Sequence, residues 1–167
     1  MQATNLCGQA RPACEVTQLH VKIVVQLYPA SRVLLRMLER FEALFTTRLI
    51  DTVEEDPGAT AEVKLVRLME LVLAGPDDAK LEIAVRAWAL QDGEARQAQE
   101  RVDRTRTQYL RKLCRGLESS LIAPDRLAEL LYLILIGAEQ VLPPVPSDEL
   151  RDLYADTLRL ATGKSLL

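Results

Sequence analysis

Aromatic side chains make up only 4% of this 167-residue chain, and there are just 7 glycines. Sandwiches and barrels of short strands lean on both, for core volume and for turns, so such folds are disfavoured and packed helices are expected. Histidine occurs once, at His20, and no Gly-rich phosphate loop, HExxH-like spacing or Ser/His/Asp set with readable context is present. Without those groups the usual hydrolytic, phosphoryl-transfer and zinc chemistries have no side chains to run on, so neither catalysis nor a cofactor is expected. The cysteines, Cys7, Cys14 and Cys114, are odd in number and form no C-x-x-C. They read as reduced thiols of a cytosolic protein with no metal site. A basic excess is missing too. Lys+Arg 21 against Asp+Glu 24 gives a net charge of −3, which argues against a chain that wraps nucleic acid on a broad basic face. The N-terminus lacks the charged head and apolar run of an export signal, so a cytoplasmic location is expected. No apolar run approaches the roughly 20 residues that a bilayer requires.

What remains is aliphatic and periodic. Residues 1–31 form an atypical, poorly defined arm; Leu19–Tyr28 within it is rich in β-branched residues but has no later strand to pair with. From Arg32 to Val53, apolar residues recur at three- and four-residue steps, which predicts a long amphipathic helix stopped by Glu54-Glu-Asp-Pro-Gly58. Those adjacent acids read as a solvated loop. Thr60 is placed to cap a helix through Leu73, on which Lys64, Arg67 and Glu70 make a narrow polar stripe. Asp77 or Asp78 opens a third helix with Leu81, Ala84, Val85 and Trp88 on one face. Asp92-Gly93 precedes the longest helix, about Glu94–Leu117. Its arginines alternate with acids, which favours a solvated surface held by local pairs such as Asp103–Arg106 over a nucleic-acid stripe. Arg106 stands apart because Val102, Tyr109 and Leu113 share its side. An arginine on an apolar face needs a carboxylate, a carbonyl or an anion.

Leu127–Val141, entered at Pro124-Asp125 and closed by Pro143-Pro144, is apolar almost all round. Leu127, Leu131, Ile134 and Ala138 form one stripe; Leu130, Leu133, Gly137 and Val141 form a second. Such a helix must be covered on most sides, either as the centre of a monomeric bundle or at a subunit interface. A last helix capped by Ser147 carries Leu150, Leu153, Tyr154, Leu158 and Ala161 on one face and ends at Gly163.

The succession resembles a known family. Arg32–Phe45 is similar to the first helix beyond the DNA-binding region of tetracycline-repressor-type (TetR) regulators. Arg86-Ala-Trp-Ala89, the Asp92-Gly93 break and Val102–Leu110 resemble the later core helices, and Ala128–Tyr132 through Gly137 resembles the penultimate, dimer-forming helix. The resemblance spans residues 32–163, leaving 164–167 as a tail, and implies an all-α regulatory domain whose last two long helices build a four-helix bundle with a partner copy. By position it implies an effector cavity walled by Met69, Leu73, Trp88, Arg106, Tyr109 and Tyr132. It also implies a homodimer interface through Leu127, Leu130, Leu131, Ile134, Gly137, Ala138, Leu150, Leu153 and Leu158. The family's three-helix DNA-reading module has no counterpart, since residues 1–31 hold only Arg11 and Lys22 as basic residues. The expectation is a truncated regulator: a domain that binds a small apolar effector and dimerises. DNA enters only through a helix-turn-helix supplied by a missing segment or a partner, and no membrane is involved. The alternative is a helical protein–protein interaction module with a filled interior and no ligand pocket.

Overall fold

The computed structural model describes residues 30–75, 78–118 and 121–164, and all regular structure among them is helical. Expectations for the N-terminal arm before Ala30, including His20, Cys7, Cys14 and the β-prone Leu19–Tyr28, lie outside the described residues, as does Asp77. The chain divides into two compact units after Met37. The described part of the first unit, residues 30–37, is helical; the second unit holds the hydrophobic clusters and the site described below.

Helix α1 (Ala30–Glu42) passes through a π-helical turn, Ala43–Thr47, into α2 (Arg48–Val53). The sequence implies one helix here, and the widened turn is what periodicity could not reveal. Next come α3 (Ala61–Leu73), α4 (Asp78–Ala89), α5 (Gly93–Arg115), α6 (Pro124–Gln140) and α7 (Ser147–Thr162). Thr60 caps α3, its side chain accepting from the Val63 amide, and Asp92 caps α5 by accepting from Glu94 and Ala95. Pro124 opens α6 at a position where its missing N–H goes unused. Ser147 does not cap α7: it is the first helical residue, Pro146 precedes it without a side-chain cap, and Asp148 and Glu149 in the first turn complement the helix dipole instead. Gly163 closes α7 in the left-handed conformation, φ 71°, that an L side chain adopts only with strain.

The longest helix, α5, is the centre of the unit and not a solvated flank. It packs against α3, α4, α6 and the π turn, and buries Ala95, Ala98, Gln99, Val102, Tyr109, Leu110, Leu113 and Cys114. Alanine makes this legible only in retrospect, because a small apolar residue between charges reads as neutral although it allows close approach. Asp103 and Arg106 do not pair with each other; each reaches to α4. Two hydrophobic clusters result. One joins Leu65, Met69, Leu73, Leu113, Leu127, Leu131 and Leu158, and the other joins Leu38, Phe41, Val85, Ala95, Ala98 and Val102, with Trp88 against it.

The α6 stripes separate cleanly. Leu127, Leu131 and Ala138 are buried in the chain's own core, whereas Leu130, Leu133, Gly137 and Val141 face outward, with Leu133 64% exposed. On α7, Leu150 and Leu158 are likewise core, and Leu153 and Leu160 are exposed. The expected interface therefore needs correcting: Leu127, Leu131, Ala138, Leu150 and Leu158 are internal, Ile134 is half-buried, and the open side carries Leu130, Leu133, Gly137 and Leu153. No helix among the described residues is long and apolar enough to cross a membrane.

Candidate functional site

The π turn is the place to begin building the site. A π turn replaces i→i+4 hydrogen bonding with i→i+5 and shifts carbonyls off the α ladder, a distortion often found at functional sites. Here Arg106, from α5, meets it: Nη2 donates to the Phe45 carbonyl at 3.2 Å and Nε to the Thr46 hydroxyl at 3.0 Å. Nη1 of the same guanidinium donates to Glu82 Oε2 at 3.0 Å. The requirement set by its apolar surroundings is thus met by a carboxylate and a carbonyl together.

Glu82 is 4% exposed, on the α4 face that also buries Val85 and Ala89. Its other oxygen lies 2.9 Å from Arg86 Nη2, and Gln99 Nε2 donates to it at 3.2 Å. Arg86 in turn grips Asp103 with both terminal nitrogens, at 2.8 and 3.1 Å. The Tyr132 hydroxyl donates to Asp103 Oδ1 at 2.7 Å and accepts from Arg86 at 3.0 Å. Burial works against the Asp103 charge, but Arg86 and Tyr132 outweigh it and hold the carboxyl below its usual range. Burial and the Asp103 hydrogen bond raise the Tyr132 phenol, so it stays protonated and donates. Every member of this cluster except Phe45 and Thr46 of the π turn comes from α4, α5 and α6.

Beside the cluster is a cavity of about 100 Å³. A water occupies roughly 10–15 Å³ by a comparable measure, so the space exceeds a few waters. Its apolar walls are Phe45 from the π turn, Leu49 and Ile50 from α2, Leu68, Met69, Leu71 and Val72 from α3, Leu110 from α5, and Leu131 and Leu135 from α6. Its polar lining is Thr46, Glu82, Arg106, Tyr109, Tyr132, Glu139 and Tyr154. Glu139 differs from the other acids. Its Oε2 is enclosed with no hydrogen-bond partner. Burial first, and the charge of Glu82 second, push its carboxyl up to about 7 against the weaker pull of Arg106 and Arg86.

Of the residues that the sequence placed around an effector, Met69, Arg106, Tyr109 and Tyr132 line this cavity together. Leu73 belongs to the surrounding core, and Trp88 packs in the separate cluster with Leu38 and Phe41, so neither is a wall. The sequence reading missed Glu82, Asp103 and Glu139. Glu82 precedes Val85 and Ala89 by three and seven positions, and Glu139 follows Tyr132 and Leu135 by seven and four, so both acids keep the period of a buried face. That signal was available, but an acid on an apolar face is easily assigned to the helix end. No group of His, Cys, Asp and Glu among the described residues is placed to hold a metal ion. Burial raises the Cys114 thiol to about 11, which leaves it protonated and unreactive at neutral pH.

A second cluster ties the loop after α2 to the body. Glu54 was expected to be solvated; instead it pairs with Lys64 and Lys112 and accepts from the Tyr109 hydroxyl at 3.0 Å. Lys112 and then Lys64 hold its carboxyl down to about 2. Tyr109 therefore lines the cavity while Glu54 holds its hydroxyl. No family model, curated protein or solved structure matches this chain.

Proposed function

We propose that this chain is the effector-sensing and dimerising part of a tetracycline-repressor-type transcription regulator. It binds a small, largely apolar molecule between its helices and does no covalent chemistry. The observation that carries this reading is the cavity: mostly apolar, with a polar minority in its lining, and walled by side chains from the π turn and from α2 to α7. Specific small-molecule sites in helical proteins have this make-up. A ligand there touches several helices at once, and if it favours one of their arrangements it shifts the population toward it. The exposed row on α6 and α7 supports the dimer part of the reading, with a second copy of the chain as its occupant. In this reading DNA is contacted only through a helix-turn-helix supplied by a missing segment or a partner. A plain interaction module needs no internal space, and the cavity weighs against it.

The test is thermal unfolding with 1-hexanol as an apolar probe. Wild type should gain several degrees in Tm at saturating probe. Leu135→Phe, which fills the cavity from α6, should gain none. An equal shift in both proteins, or none in wild type, refutes the sensing reading.

A further inference from the structure

The charges lining the cavity and those beside it do not balance, and the imbalance indicates what it takes. Arg86 and Arg106 stand against Glu82 and Asp103, and these four cancel through the contacts already described. All three nitrogens of Arg106 already donate. Both terminal nitrogens of Arg86 are occupied by Asp103, Tyr132 and Glu82. Glu139 is the charge left over. It lines the cavity from α6, and its enclosed Oε2 finds no donor among the described residues. Tyr154, buried on α7 and within the field of Glu139, shares that wall and brings a further oxygen.

An enclosed carboxylate oxygen without a donor is unfavourable, and a ligand that supplies the donor recovers this on binding. Resting on the sensing reading above, we infer that the cavity takes a small organic cation: an alkyl- or arylammonium whose head meets the Glu139 carboxylate and whose hydrocarbon part lies against Leu49, Leu68 and Leu135. An anionic head would find Arg106, the one arginine in the cavity wall, already engaged through all three nitrogens, and would face both Glu82 and Glu139; Arg86, whose Nε has no partner among the described residues, is not among the walls. A neutral hydroxyl could donate to Glu139, but a hydrogen bond with charge on both sides is about twice as strong. The upward shift of the Glu139 carboxyl agrees with a carboxylate that has no counter-charge of its own among the described residues.

The experiment is calorimetric titration of the full chain at pH 8 with hexylamine, 1-hexanol and hexanoate, which share a tail and differ in the head. Hexylamine should bind at least about tenfold tighter than 1-hexanol, and hexanoate more weakly than either. Glu139→Gln keeps the shape and removes the charge. It should bring hexylamine to the affinity of 1-hexanol and leave 1-hexanol unchanged. The variant should fold, since it removes an unpaired charge, and helical circular dichroism verifies that it does. Equal affinities of hexylamine and 1-hexanol in wild type, a preference for hexanoate, or an advantage of hexylamine over 1-hexanol that survives Glu139→Gln would each overturn the inference. Binding of 1-hexanol without preference for the amine removes the cation claim alone. No binding of any probe removes the sensing reading along with it.

Discussion

A buried carboxylate is tolerated when its lone pairs and charge are met, and it shifts toward the neutral acid when they are not; Glu82 and Glu139 show both outcomes around one cavity. Glu82 is bonded by Arg86, Arg106 and Gln99, so removing one partner exposes what the pairing was holding down. Arg106→Ala should destabilise the chain by about 2–4 kcal/mol, somewhat below the full penalty for a broken buried pair because Arg86 remains. Glu82→Leu combined with Arg106→Met should lose less than Arg106→Ala alone, since no orphaned charge is left. Urea denaturation of the three proteins at neutral pH checks the order. A double variant that loses more than the single would mean the pair contributes net stability beyond satisfying its members. For Glu139 the sign runs the other way. Its folded pKa of about 7 lies above the ordinary value of 4.5, so its contribution to stability is fully present below about 4.5 and is lost as pH rises through 7. Facing it are Glu82 and Arg86 from α4, Arg106 from α5 and Tyr154 from α7. Glu139→Gln should therefore be more stable than wild type at pH 8 by about 1–2 kcal/mol, allowing for partial solvent contact, and nearly equal to it at pH 4.5. Unfolding curves at the two pH values provide the comparison.

At the scale of elements, the helices are joined by a few points that a substitution can isolate. Glu54 holds the end of α2 to Lys64 of α3 and to Lys112 and Tyr109 of α5. Its folded pKa of about 2 lies below 4.5, so this link contributes above pH 4.5 and fades as pH falls toward 2. Glu54→Gln should remove that limb of the acid-unfolding profile, visible as a smaller change in Tm between pH 5 and pH 3. Gly116 marks another junction: a Cβ there would lie 2.6 Å from the Ala61 Cβ at the start of α3. Gly116→Ala should destabilise by about 1–3 kcal/mol through forced separation of α3 and α5, measurable by denaturant titration. The helices themselves were legible because their signals are local: Thr60 and Asp92 as caps, Gly163 as a stop, and three- and four-residue periodicity between them. The π turn was not, since it alters hydrogen-bond register without altering composition. The rank of α5 as the central helix was also hidden, because a helix built on Ala95, Ala98 and paired charges hides its burial from any reading that counts large apolar residues. For the site, Arg106 announced itself by standing among Val102, Tyr109 and Leu113. Its partners, at Phe45, Thr46 and Glu82, are decided by how distant segments fold together, and no local pattern contains that.

For the whole molecule, the open row on α6 and α7 decides whether one copy is sufficient. Leu130, Leu133, Leu153 and Leu160 are exposed within the chain, and Gly137 lies in the α6 row with nothing within 4 Å of a built Cβ. Covering those leucines on two copies would gain roughly 10 kcal/mol from apolar burial. Association opposes this with about 4–15 kcal/mol of lost freedom, so the balance rests on how closely the two α6 helices approach. Leu133→Glu adds a charge at the most outward of the α6 leucines, where a lone chain should tolerate it within about 0.5 kcal/mol. Sedimentation equilibrium should show wild type at twice the chain mass and Leu133→Glu at a single chain mass, with unchanged helical content. Gly137→Ala separates the explanations further. In an isolated chain it should stabilise α6 by up to about 1 kcal/mol, through helix propensity alone. Where two α6 helices meet at that position, the added methyl should weaken self-association while raising the monomer's Tm. Wild type sedimenting as a single chain across micromolar concentrations would remove the second copy from the proposed function and leave the cavity as a property of the monomer.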